Sequence, residues 1–194
     1  MRGTEVVSDP TNAMALESAL RLRNDPRATI KLSCSHRCVR AQAMGAGPGI
    51  AAHFRMFCLT SAAHEVKDHG FIVNSLIEHI RFHLQALAEI ARRSGSSMDV
   101  ILILRRAASH VHLADRIAAA FAGIEIFQDD LTDNYYDGLR FSIDVRTVSG
   151  ERANLCDGGA FDWLGKLTSN HKLSFAASAL GSQRAAVVFG WKGS

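Results

Sequence analysis

A chain of 194 residues, 47% hydrophobic and 21% charged, has the composition of one folded domain rather than a disordered one. A net charge of +3 with scattered arginines gives no argument for a nucleic-acid partner. No run reaches the ~18 apolar residues of a membrane helix, and the leading MRGTEVVSDP has no apolar signal segment, so a cytoplasmic chain with reduced thiols and no membrane contact is expected.

Ser8-Asp9-Pro10 is a helix start, with a capping side chain before a proline in the first turn. Pro26 disfavours helical geometry at Asp25, so this helix should end near Asn24. Residues 28–33 (ATIKLS) alternate like a strand. Residues 44–50 (MGAGPGI) lack phosphate-loop spacing and read as a turn. His53 to His69 is expected to be helical. Gly70 to Arg93 is a long amphipathic helix, with Val73, Leu76, Ile80, Leu84, Leu87 and Ile90 on one stripe. His79 and His83 lie four apart on it without an H-E-x-x-H pattern, which predicts a partly exposed pair rather than a metal site.

Asp99 to Leu104 (DVILIL) reads as a strand covered on both faces. Ser109 to Ala122 is a second amphipathic helix closed by Gly123, and Ile124 to Phe127 is a short strand. Strand, helix and strand in succession suggest helices packed on a mixed sheet. Cys34 and Cys38 form C-x3-C, with Cys58 further along, but the spacing matches no zinc pattern and no metal is expected.

The remaining segment concentrates the chemistry. Acidic residues Asp129, Asp130, Asp133 and Asp137 surround Tyr135-Tyr136. Leu139, Phe141, Ile143 and Val145 then alternate with polar residues as a half-buried antiparallel strand. Ser149-Gly150 turns the chain, and Ala153 to Cys156 pairs back. Gly158-Gly159 allows close backbone approach or positive φ. A helix follows from Asp162 to about Leu167, then a small-residue segment from Ser174 to Leu180. Ala185 to Phe189 (AAVVF) is expected to be a last strand.

These residues resemble the histidyl-tRNA synthetase-like class II core, whose forms are RGLDYYTG…F, GGRYD and GF-x-x-G-x-x-R. The resemblance covers residues 115–185. The preceding AGIEIF is similar to the family's approach to its tyrosine strand, and GTEVVSDPTNAMALESAL to a segment just after motif 2. The fold so implied is α+β, a mixed, mainly antiparallel sheet packed with helices as in the C-terminal half of a class II synthetase core: one domain over 1–194, mostly helical over 1–110, with a synthetase-like sheet module over 111–194. Motifs 1 and 2 and an anticodon-binding domain are expected to be missing.

The resemblance implies a ligand site at Asp133, Tyr135, Tyr136, Gly158, Gly159 and Asp162. It also marks departures. The family's RGLDYY is matched by Leu131-Thr132-Asp133-Asn134-Tyr135-Tyr136, which puts Leu131 where an arginine polarises the amino-acid carboxylate. GGRYD is matched by Gly158-Gly159-Ala160-Phe161-Asp162, with Ala160 replacing arginine. In the third motif Ser178 replaces a glycine and Gly181 the ATP-binding arginine, with Arg184 three residues late. Adenylation joins two anions and depends on cations at the phosphates. No catalytic residue and no cofactor are therefore expected.

The expected role is regulatory, similar to the ATP phosphoribosyltransferase regulatory subunit of histidine biosynthesis, in an oligomer. The partner would be a short-form ATP phosphoribosyltransferase catalytic subunit, or a chain carrying motifs 1 and 2. The alternatives are a truncated amino-acid-activating ligase completed by a partner chain, and a structural interaction domain without a small-molecule site.

Overall fold

The computed structural model describes residues 7–39, 47–146 and 150–191. Among them is one seven-stranded sheet in the order β1-β2-β7-β6-β5-β3-β4. The strands are β1 (Ile30–Val39), β2 (His53–His64), β3 (Asp99–Arg106), β4 (Glu125–Asp130), β5 (Leu139–Arg146), β6 (Arg152–Phe161) and β7 (Leu173–Leu180). Every neighbouring pair is antiparallel except β3–β4, which is parallel across α3 (Val111–Ala119). The fold is α+β with a mixed, mainly antiparallel sheet, as expected.

Alternation along the strands divides the core between two faces. On one face Ala176 and Leu180 of β7, and Leu139, Phe141, Ile143 and Val145 of β5, pack beneath α2 (Gly70–Arg93), α3 and α5 (Ser182–Val188). On the other, Phe175 and Ala177 of β7 join Ala15 and Leu22 of α1 (Pro10–Asn24) and Leu164 of α4 (Trp163–Thr168). α1 begins as expected: Asp9 Oδ1 accepts from the Thr11 amide at 2.9 Å and from its hydroxyl at 2.7 Å. Such a cap is typically worth ~1 kcal/mol.

Three expectations are corrected. Residues 53–64 form a strand, not a helix. β2 lies between β1 and β7, and from Thr60 to Ala63 it is buried on both faces, so its sequence (HFRMFCLTSAAH) lacks the one-sided alternation that betrays a strand. Two long strands therefore stand in the part expected to be mostly helical. Residues 185–188 are helical in α5, not a strand: Ala185 and Phe189 donate backwards to Gly181 and Ala185, and both anchor in the α2-side core. The His79–His83 pair is buried, at 3% and 0% exposure, not partly exposed. Part of the 44–50 turn and Ser149 of the 149–150 turn lie outside the described residues.

Candidate functional site

α1 leaves part of its face uncovered over β6 and β7. There a cavity of about 290 Å³ opens between the start of α1, the Tyr135-Tyr136 loop, residues 49–51 and the start of α5. Its walls come from separate stretches of chain, among them Asp9, Tyr135, Tyr136, Asp157, Gly158 and Arg184. Phe161, Tyr135 and Tyr136 form an aromatic side, with ring centroids 5.0 to 5.3 Å apart. Such edge and tilted contacts hold rings in fixed positions.

Two carboxylates face this space in different states. Asp157, on β6, is bound by Arg140 of β5 through Nε at 3.1 Å and Nη2 at 2.6 Å, a bidentate pair. The same guanidinium lies 5.1 Å from the centroid of the Tyr136 ring and reaches Asp133 through Nη1 at 3.5 Å. Burial, and next the Asp157 charge, push the Tyr136 phenol above its ordinary range, so Tyr136 stays a neutral hydroxyl. Asp9 accepts from Thr11 and, through Oδ2, from the Tyr135 hydroxyl at 3.4 Å. Its charge meets hydroxyls and an amide in these contacts, not a cation. Arg184, also in the lining, packs against Gly49, and its Nε is buried with no hydrogen-bond partner among the described residues.

The paired glycines work by close approach, since neither has positive φ. A side chain at Gly158 would run into Ser178 and Phe141 on the α2 face. One at Gly159 would run into the Leu139 carbonyl and the Tyr136 ring. Gly159 thus seats Tyr136 against the sheet, while Gly158 makes room on the opposite face. Of the six residues singled out from sequence, Tyr135, Tyr136 and Gly158 line the cavity and Gly159 lies beneath Tyr136. Asp133 is outside the lining, joined to the site through Arg140. Asp162 is also outside it, paired with Lys166 at 2.7 Å where α4 begins. Asp9, which the sequence marks only as a cap, and Asp157, which no motif marks, belong to the site. No local pattern could have found them, because strand pairing and α1 packing assemble the cavity.

Behind β7 lies a second polar group. Ser178 Oγ sits 3.0 Å from His79 Nδ1 and 2.8 Å from His83 Nε2, and His79 Nε2 is 3.0 Å from Ser61 Oγ. Burial lowers His79 to about 4, and burial lowers His83 to about 3, so both imidazoles are neutral at pH 7. The i, i+4 spacing that resembles a metal pair here binds two serines. A smaller cavity of about 150 Å³ gathers Glu65, His69, His110, Asp137 and His171. Among the described residues no three His, Cys, Asp or Glu side chains form a group that could hold a metal ion.

No protein-family model and no curated protein sequence matches the chain. Solved structures do. The chain is similar to apo histidyl-tRNA synthetase from S. aureus, with a TM-score of 0.72 and 15% identity over 95% of this chain and 51% of that one. It is similar to a structure described as the RNA binding domain of threonyl-tRNA synthetase from Cryptosporidium parvum, with a TM-score of 0.69 and 9% identity over 94% of this chain and 49% of that one. It is similar to a histidine–tRNA ligase subunit from Alicyclobacillus acidocaldarius, with a TM-score of 0.65 and 13% identity over 95% of this chain and 76% of that one. The chain thus spans about half the length of the first two. The likeness reaches the N-terminal helix and hairpin as well as residues 115–185, and at these identities it establishes a histidyl-tRNA synthetase-like fold.

Proposed function

We propose that this chain is a non-catalytic regulatory paralogue of histidyl-tRNA synthetase whose cavity holds a free amino acid. The chemistry of the walls supports this reading. Asp9 and the tyrosine hydroxyls suit an ammonium group, Arg184 suits a carboxylate, and Tyr135, Tyr136 and Phe161 supply aromatic walls. One observation carries most of the weight: Arg184, whose Nε is buried with no hydrogen-bond partner among the described residues, and Asp9 border the same cavity without forming an ion pair with each other. A zwitterion satisfies both ends at once.

Binding without reaction follows from the missing cations. Ala160 is buried in β6 and Gly181 lines the cavity, so two of the positions where the resemblance places arginines present no charge there. Arg140 of β5 is already committed to Asp157, and the arginines of the lining itself are Arg55 of β2 and Arg184. Phosphoryl oxygens entering with ATP would meet only Arg184 and the exposed Arg55 as cations of the lining, alongside the carboxylates of Asp9 and Asp157. Histidine is the ligand this proposal favours, and a short-form ATP phosphoribosyltransferase is the partner. Isothermal titration with L-histidine tests both, with the chain alone and with that partner. Saturable heat is expected, and Arg184→Ala should weaken it about tenfold or more, the usual loss for one charge-assisted hydrogen bond. Absence of heat in both arrangements would overturn the proposal.

A further inference from the structure

The β1–β2 hairpin carries a feature that the binding site does not use. Cys34 and Cys58 are direct partners in its ladder, so both side chains leave the sheet on the same face. Opposed Cα atoms in an antiparallel pair lie about 4.5–5.5 Å apart, inside the roughly 4.4–6.8 Å that a disulfide spans. The two thiols are near enough for each to influence the ionisation of the other. We infer that Cys34 and Cys58 form a dithiol that a hydroperoxide converts into a cross-strand disulfide, joining the outer strand covalently to the strand that lines the cavity.

The surroundings select this pair. Cys38 is on the same strand face as Cys34 but four residues away, roughly 13 Å along an extended chain, and it stands opposite Phe54 rather than a thiol. Cys156 is buried in the core on the α2 side of the sheet. Access sets the order of events, because Cys34 is partly exposed and Cys58 is fully buried. Cys34 is also 3.6 Å from the Met14 thioether of α1, within a sulfur-rich cluster completed by Met56 and Cys38.

The chemistry balances without another reagent. The Cys34 sulfur attacks the peroxide, the O–O bond breaks, and a sulfenic acid forms with release of an alcohol, or of water from hydrogen peroxide. Cys58 gives up its proton and attacks the Cys34 sulfur, the S–O bond breaks, and water leaves. Two thiols and one hydroperoxide thus give a disulfide, an alcohol and water. Burial raises both thiols above their ordinary value, so the reaction is slow at neutral pH and quickens as pH rises.

The test is a peptide map of the full chain after hydrogen peroxide at mildly alkaline pH, with free thiols alkylated under denaturing conditions. Trypsin places the three hairpin cysteines in separate peptides, since Lys31, Arg37, Arg40, Arg55 and Lys67 bound them. A cross-link between the Cys34 and Cys58 peptides, lighter by two hydrogens and reversed by dithiothreitol, is expected. Cys58→Ser should leave a Cys34 sulfenic acid that dimedone traps, and Cys156→Ser should leave the cross-link intact. The inference is overturned if Cys34 proceeds to sulfinic acid while Cys58 stays alkylatable, if the cross-link joins other cysteines, or if neither thiol reacts. The wild-type map decides this even if a variant fails to fold, and it does not depend on whether the cavity binds an amino acid.

Discussion

The two faces of β7 carry polar groups of opposite kinds. On the α2 face, His79, His83, Ser61 and Ser178 spend most of their hydrogen-bonding capacity on one another, in a place where burial keeps both imidazoles neutral. On the α1 face, Asp9, Tyr135 and Arg184 border open space, and the buried guanidinium nitrogen has no partner among the described residues. Buried polar groups in folded proteins are normally satisfied. Yet each group keeps one buried atom with no partner among the described residues, His83 Nδ1 on one face and Arg184 Nε on the other, so what separates the two is the open space that Arg184 borders. Gly158 belongs to both, lining the cavity while leaving room for Ser178 behind it.

Acid should break the inner cluster first, with the largest effect. Both histidines have folded values below the 6.5 of the free side chain, near 4 for His79 and near 3 for His83. The unfolded chain therefore binds more protons below pH 6.5, and stability falls as pH drops from there towards the folded values. The loss is on the order of several kcal/mol, since each tenfold fall in proton affinity on folding corresponds to about 1.4 kcal/mol. Chemical denaturation from pH 7 to pH 4 measures it, and His83→Leu should flatten the profile. Stability unchanged across that range would show that the imidazoles are not held neutral.

Gly158→Ala comes next. Its methyl would overlap Ser178 and Phe141, neither of which can retreat in a filled core. A loss of about 2–3 kcal/mol is expected from overpacking, read as a lower denaturation midpoint. Removing Arg140 is milder. Arg140→Met leaves Asp157 without its bidentate partner in a half-open site, and about 1 kcal/mol of stability should go. That variant should also loosen Tyr136, visible as sharper temperature dependence of its ring resonances. The smallest effect belongs to Glu89. Arg92 and Arg93 hold its carboxyl down to about 2, yet the group is fully exposed and screened by solvent. Glu89→Gln should leave the melting temperature within experimental scatter.

Much of the scaffold is legible in the residues. α1 declares itself through Asp9-Pro10 and Pro26, α2 through its apolar stripe, and β5 through strict alternation. β2 escapes the pattern because its 60–63 stretch is buried on both faces, and α5 because Val187 puts an apolar residue on its exposed side, so the run 185–189 reads as continuously apolar. The site is half legible. Tyr135, Tyr136 and Gly158 can be picked out because they stand in the two stretches that resemble RGLDYY and GGRYD. Asp9 and Arg184 lie near opposite ends of the chain and meet only because α1 and α5 both begin at the edge of the same cavity. The histidines mislead in the other direction, since i, i+4 spacing on a helix fits a buried pair bonded to serine as well as it fits a metal.

The reading that the cavity binds an amino acid and does not activate it is tested most directly by one paired measurement. Amino-acid binding is followed by the fluorescence of Trp163, which sits against Phe161 at 4.2 Å, in parallel with amino-acid-dependent pyrophosphate exchange. Saturable binding of a small amino acid, weakened in Arg184→Ala and accompanied by no exchange, is the expected result. Exchange above background with any amino acid, or no binding across all twenty, would contradict it.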